Sequence, residues 1–273
     1  SGQAIGAWGL TEANTGSDAM RMRCTAARDE ARGGWVLNGT KNWITHGISG
    51  DVAVVLARTG ELLDSRGITA FVVTRGQEGF SGGKKENKLG MRSSETAQVF
   101  LDDVRIPQRN RIGAEGTGFM MQMLQFQEER MWGAANVIKA LENCVTQTIE
   151  YCRERKTFGQ PLIDNQYIHF RLAELQTEIE ALRALTYQAC ELHVEGKDVT
   201  KLASMAKLKA GRLGREVTDA CLQFWGGNGY MWDNPLSRAY RDVRLVSIGG
   251  GADEIMLGII CKLMGTLPGK KRD

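Results

Sequence analysis

Four short segments of the chain combine residue types and spacings that could do chemistry. Leu10-Thr11-Glu12-Ala13-Asn14-Thr15-Gly16-Ser17-Asp18 is polar and bears a glycine directly after a short apolar run. Its hydroxyls and free backbone amides suit an anionic or carbonyl-rich ligand, and equally a long turn closed by Asx-type hydrogen bonds. Lys41-Asn42-Trp43-Ile44-Thr45-His46-Gly47 sets an aromatic ring and a hydroxyl two residues apart. On a strand both point to one face and could meet one planar ligand; the other reading is a tryptophan buried in a core. In Arg153-Glu154-Arg155-Lys156-Thr157-Phe158-Gly159 the cations fall at the negative end of a helix dipole, either as a plain cap or with Arg155 and Thr157 gripping a phosphate. Gln223-Phe224-Trp225-Gly226-Gly227-Asn228-Gly229-Tyr230 is rich in glycine, which lets a backbone approach a ligand closely or simply stops a helix.

These segments need elements to hold them, and the apolar patterning supplies two kinds. Up to about Pro107 the runs Trp35-Val36-Leu37, Asp51 to Leu56, Ile68 to Val73 and Ala97 to Leu101 are rich in β-branched and aromatic residues, with Gly/Asn/Asp turns between them. That texture predicts a compact antiparallel barrel or sandwich. The stretch Arg105 to Arg111 interrupts both periodicities and reads as a linker. From Gly118 onward the pattern is helical. Ile168, Leu172, Leu175, Ile179, Leu182 and Ala189 fall at alternating spacings of four and three, one stripe down a helix starting near Gln166. A second long helix is predicted from about Thr200 to Phe224, and shorter ones after Asn234 and Gly251. The expected fold is α+β: an antiparallel β-barrel-like domain over 1–110, then an antiparallel helical bundle over 111–273.

Composition removes whole classes of function. The 273 residues are 25% charged with Lys+Arg 35 against Asp+Glu 32. Before Gly113 there are 15 basic and 12 acidic residues, and after it 20 and 20. Neither half is a basic module for nucleic acid or an anionic membrane. No run of about 18 apolar residues is present, so no membrane span is expected. Three histidines leave little material for a zinc site or a Ser/His/Asp triad. The six cysteines avoid Cys-x-x-Cys spacing, and most lie in apolar helical stretches, as reduced thiols of an intracellular protein do. The opening Ser1-Gly2-Gln3, without an initiator Met or a signal-like segment, suggests a processed product or a fragment.

Taken together, Leu-Thr-Glu-x-x-x-Gly-Ser-Asp at 10–18, Trp-Ile-Thr at 43–45, Arg-Lys-Thr-Phe-Gly at 155–159 and Gln-x-x-Gly-Gly-Asn-Gly at 223–229 resemble, in order and spacing, the acyl-CoA dehydrogenases. The resemblance implies a middle β domain and a C-terminal four-helix bundle with FAD lying between them and reaching a second subunit, hence a homodimer or homotetramer. It implies that Trp8, Leu10, Thr11, Gly16 and Ser17 line the flavin or its ribityl chain, with Ser17 also facing the acyl-CoA. Trp43 and Thr45 would pack beside the isoalloxazine, Thr45 near N5. Arg155, Thr157, Phe158 and Gln166 would receive the ADP half of the FAD bound mainly by the neighbouring subunit, and Gln223, Gly226 and Gly227 its pyrophosphate. Since the first motif stands almost at the start of the sequence, the family's N-terminal helical domain is expected to be absent.

The reaction so implied removes an α-proton from an acyl thioester while the β-hydrogen leaves as hydride to the flavin. Many members place the base, a Glu, near the C-terminus before Gly-Thr-Ser; here that position falls on Gly250, and Ala252 replaces the Thr. A smaller branch, including isovaleryl- and long-chain-type enzymes, carries the base on the first bundle helix directly before an Arg. Gln127-Glu128-Glu129-Arg130 matches it, which makes Glu129 the expected base and Arg130 a substrate-positioning residue. Adjacent helix residues are turned about 100° apart, so Glu128 then faces solvent. Glu254 is the reserve base.

The leading expectation is therefore an FAD-dependent acyl-CoA dehydrogenase that passes electrons to an electron-transfer flavoprotein. A flavin-binding or assembly protein that has lost catalysis is the second reading. A DNA-alkylation-response relative is the third, and the even charge count after Gly113 speaks against it. The family suggests a mitochondrial matrix location; the ending Gly269-Lys270-Lys271-Arg272-Asp273 is not a peroxisomal Ser-Lys-Leu.

Overall fold

A computed structural model describes residues 2–268; the Gly269 to Asp273 ending lies outside the described residues. The chain divides into two compact units, Ser1–Leu124 and Gln125–Asp273.

The first unit is built on one sheet. Its strands are β1 (Gly6–Gly9), β2 (Thr25–Asp29), β3 (Gly34–Thr45), β4 (Val52–Arg58), β5 (Ile68–Thr74), β6 (Phe80–Gly82), β7 (Thr96–Pro107) and β8 (Arg111–Ile112). They pair in the order β6-β7-β3-β2-β4-β5-β8, with β1 added beside β4. The pairing is antiparallel along β2-β3, β3-β7, β4-β5, β5-β8 and β6-β7. It is parallel where β1 runs beside β4 and where Thr25 meets Arg58, so the sheet is mixed rather than purely antiparallel. Alternation along β3 sends Trp35 and Leu37 inward, and β7 answers with Leu101, Val104 and Ile106. The Trp35 and Phe71 rings meet at 5.3 Å in the centre of that core, and burying each such side chain contributes about 1.5–3 kcal/mol.

The expected linker is not one. Arg105 and Pro107 end β7, paired with Val36 and Gly34, while Gln108–Asn110 form a single 3-10 turn and Arg111 begins β8 against Phe71. Pro107 is compatible with a strand end, where no ladder amide is lost, and Gln108 Oε1 accepts from the Trp35 indole at 2.8 Å.

The second unit is helical. It contains most of α1 (Gly118–Glu154), then α2 (Gln166–Val194), α3 (Thr200–Trp225), α4 (Pro235–Val243) and α5 (Asp253–Met264). Between α1 and α2 lies a two-strand ribbon, β9 (Lys156–Thr157) and β10 (Gln160–Pro161). The expected stripe on α2 is buried throughout: Ile168 to Leu182 pack with Val137, Ile138, Leu141 and Val145 of α1 and with Ala206, Ala210, Leu213 and Val217 of α3, and Ala189 packs with Met131, Val199 and Ala203. Small residues let α3 run close to its neighbours: a Cβ on Gly214 would stand 2.6 Å from Val243 Cγ2. Cys144, Cys152 and Cys221 are free, buried thiols in this unit, and Cys24 is another in the first. Among the described residues no helix is long and apolar enough to cross a membrane.

Candidate functional site

In the first unit two of the four segments are bonded directly to each other. Lys41, with no exposed surface, donates from Nζ to Glu12 Oε1 at 2.7 Å and to the Leu10 carbonyl at 3.2 Å. The Glu12 carboxylate also accepts from the backbone amides of Arg23 and Cys24, and Asn42 N donates to Thr11 O at 2.8 Å. A buried ion pair is tolerated only when its spare hydrogen-bonding capacity is met in this way. The pair therefore pins the 10–18 segment onto β3. Gly16 and Ser17 are left exposed, and the Thr15 hydroxyl closes the turn on the Asp18 carbonyl. Trp8 on β1 donates its indole N–H to Gln122 Oε1 at 2.7 Å, and Leu10 packs partly buried against Met22, Leu56 and Ile68.

Trp43 is not a core residue. A register shift between Lys41 and Ile44 puts it at φ 60° with 62% of its surface exposed. Thr45 is exposed too, whereas Asn42 and Ile44 are buried. The ring and the hydroxyl thus lie on the accessible side, and Trp35 fills the core instead.

In the second unit the other two segments gather at one end of the helices. Trp225 stacks on Tyr151 with centroids 4.2 Å apart and rings 9° from parallel. The Tyr151 hydroxyl donates to Trp225 O at 3.3 Å and accepts from Asn228 Nδ2 at 3.2 Å, and the Trp225 indole donates to Thr148 Oγ1. This clasp joins the end of α1 to the end of α3. Beyond it Arg155, Phe158, Gln166, Gln223, Gly226 and Gly227 are exposed and Thr157 is half-buried. Phe158 sits at φ 51° in the tip of the β9–β10 ribbon. No atom lies within 4 Å of where a Cβ would stand on Gly226 or Gly227.

Away from that end, half-buried Glu129 and buried Arg130 stand on α1 in the second unit. Glu129 Oε1 lies 3.3 Å from the point where a Cβ on Gly250 would begin. Burial pushes the Glu129 carboxyl above the usual carboxylate range, and Arg130 and Lys207 pull it partly back. Arg130 is buried, its guanidinium 5.3 Å from the centre of the Phe126 ring, and its Nε has no partner among the described residues. Glu128 is exposed and faces His193 at 3.7 Å. Glu254 is exposed in the first turn of α5, where Ala252 stands at the N-cap without a capping side chain.

Sequence reasoning missed three supports: Glu12 with Lys41, Tyr151 with Trp225, and Lys207. The first two lie in or beside the motif segments, but the ion pair and the stacking depend on partners far along the chain. Lys207 carries no local mark at all.

Comparison with known proteins agrees with this anatomy. Residues 7–104 match the family "Acyl-CoA dehydrogenase, middle domain" and residues 116–265 match "Acyl-CoA dehydrogenase, C-terminal domain". The short-chain-specific acyl-CoA dehydrogenase of Megasphaera elsdenii is 38% identical over 94% of this chain and 67% of its own length. The mitochondrial long-chain-specific acyl-CoA dehydrogenase of Sus scrofa is 38% identical over 96% of this chain and 61% of its own. The solved structure of butyryl-CoA dehydrogenase from Megasphaera elsdenii superposes with a TM-score of 0.93 at 36% identity, covering 96% of this chain and 68% of that one. The chain thus spans about two thirds of the length of such relatives.

Proposed function

The chain belongs to the acyl-CoA dehydrogenase family, a family of oxidoreductases, and we propose that it catalyses α,β-dehydrogenation of an acyl-CoA thioester with Glu129 as the base. The carrying observation is the juxtaposition of Glu129 and Gly250. The carboxylate on α1 reaches the place from which a side chain at 250 would project, the position to which the resemblance assigns the Glu of many members.

The residues fit FAD in each unit. The first offers an accessible indole and hydroxyl at Trp43 and Thr45, beside the pinned turn of Leu10, Thr11, Gly16 and Ser17. The second offers open backbone at Gly226 and Gly227 with Gln223 one turn before, and exposed Arg155, Phe158 and Gln166 with Thr157. These suit a pyrophosphate and an ADP moiety, the latter received from a neighbouring copy in a homodimer or homotetramer. Bound FAD supplies the acceptor for a hydride.

The chain's own residues do the rest. Thr45 would offer its hydroxyl to the edge of the bound ring, and Trp43 would lie beside it. The resemblance gives Ser17, in the first unit, and Arg130, in the second, roles toward the acyl-CoA. Glu129 takes the α-proton on a carboxylate oxygen; the α-carbon keeps that electron pair, the β-hydrogen departs with its own, and a C=C bond forms between the two carbons. Its raised proton affinity brings a carboxylate nearer the operating pH, which favours proton transfer from a weak carbon acid. Electrons then pass to an electron-transfer flavoprotein. A bacterial and a mitochondrial relative match at the same 38% identity, so similarity favours neither compartment.

Anaerobic titration of the yellow protein with butyryl-, isovaleryl- and palmitoyl-CoA tests the reading: at least one bleaches the flavin, and Glu129→Gln keeps the flavin but abolishes bleaching. Near-normal turnover in that variant would remove Glu129 from the role. The uncapped start of α5 at Ala252 favours the second reading, a family member that binds flavin without dehydrogenating. Bound flavin that none of the thioesters reduces would establish it.

A further inference from the structure

We propose that Lys207 is a positioning residue for the base: from α3 its ammonium fixes the turn that carries Gly250 and stands as the countercharge behind the Glu129 carboxylate. The inference rests on the reading of Glu129 as the base.

Three observations carry it. Lys207 is only 3% exposed, and a buried ammonium persists only where its protons and charge are matched. Its Nζ donates to the Val246 carbonyl and, at 2.6 Å, to the Gly251 carbonyl, bracketing the turn in which Gly250 and Gly251 adopt φ of 62° and 97°. The third is shared position. Lys207 Cε and Glu129 Oε1 lie 3.8 Å and 3.3 Å from the same point, the site of a Cβ on Gly250.

The other charges facing Lys207 are Arg130 of α1 and Asp253 of α5. Asp253 is already paired with Arg215 of α3 at 3.0 Å, and Arg130 repels Lys207. Burial pushes the Lys207 ammonium down to about 8, with Asp253 and Glu129 holding it up. At neutral pH it is still charged, and after Arg130 its field is the second influence that works against the burial raising the Glu129 carboxyl.

The test reads the Glu129 carboxyl itself, by 13C resonance in the flavin-bearing full chain labelled at glutamate Cδ and assigned by its loss in Glu129→Gln. Lys207→Met is expected to raise the Glu129 midpoint by about one pH unit and to move the acid limb of the flavin-bleaching rate with it. Lys207→Arg, which keeps the charge, is expected to restore both. A lysine that merely supports the fold would lower stability and leave the midpoint in place; that outcome overturns the proposal. Should Lys207→Met not fold, coupling is read from the other side, since linkage is reciprocal. The Lys207 Cε resonance is expected to titrate lower in Glu129→Gln by the same amount, and an unmoved midpoint overturns the proposal equally. Failure of the base reading is separate: it shows as retained bleaching in Glu129→Gln, whatever the two midpoints do.

Discussion

A residue without a side chain, Gly250, leaves room for Glu129, the base we propose. Gly250 adopts φ 62°, a region that costs an L residue about 1–2 kcal/mol, and the Cβ it lacks would press on Glu129 Oε1 at 3.3 Å. Gly250→Ala is therefore expected to lower stability by about 1–2 kcal/mol and to reduce the rate of flavin bleaching, with flavin content unchanged. Chemical denaturation and anaerobic stopped-flow measurements check the two halves. The raised proton affinity of Glu129 has its own sign. The acid limb of the rate profile belongs above the usual carboxylate range, because burial outweighs the pull of Arg130 and Lys207.

Among the elements, α1 and α3 do different work at their two ends. The α3 surface facing α1 and α2 is apolar and interdigitated, and it sets the spacing from which Glu129 and Lys207 reach one turn. At the far end the contact is the Tyr151–Trp225 clasp. It orients the glycine turn after α3 relative to the ribbon that bears Arg155 and Phe158. Tyr151→Phe keeps the ring stacking and loses both hydroxyl hydrogen bonds, a cost of about 1 kcal/mol in stability. The expected consequence is weaker FAD retention with little change in helix content. Flavin release during dialysis, against circular dichroism of the same sample, reads it; unchanged retention would count against the clasp as an FAD-site support.

Across the molecule, buried titratable groups make stability depend on alkaline pH in a way the two units do not share. In the second unit Lys207 is held down to about 8 from an ordinary 10.5. Between those values the unfolded chain binds more protons, so stability rises with pH. Buried Cys144 and Cys221 are pushed up to about 11 and about 12 from 9.0. From pH 9 upward the folded form therefore holds more protons and stability falls. Burial pushes the Cys152 thiol up as well, and three thiols outweigh one ammonium, so the stability of this unit should pass through a maximum near pH 9. The first unit, with Cys24 pushed up to about 11, should only decline from there. Urea midpoints between pH 7.5 and 10.5, followed at probes in each unit, check this, and Lys207→Met should abolish the rise.

The order of elements, the buried stripe of α2 and the span of α3 were legible because each is a local repetition: period two or period 3.6 survives whatever the rest of the chain does. The end of β7 reads as a linker in sequence because Arg105, Pro107 and the nearby charges mask a strand whose pairing partners, Val36 and Gly34, lie far upstream. Trp43 and Trp35 are the same residue type in similar strand sequence; a register shift opposite β7 exposes one and leaves the other in the core. From the motifs alone the sequence determined the family, the two kinds of unit and a Glu-Arg pair on the first long helix. Only the tertiary structure decided that Lys41 and Lys207 are buried, and that Glu129, Lys207 and Gly250 converge. Burial and charge pairing are properties of neighbours brought together by packing, and a lysine reads as a solvated residue until the structure shows what surrounds it.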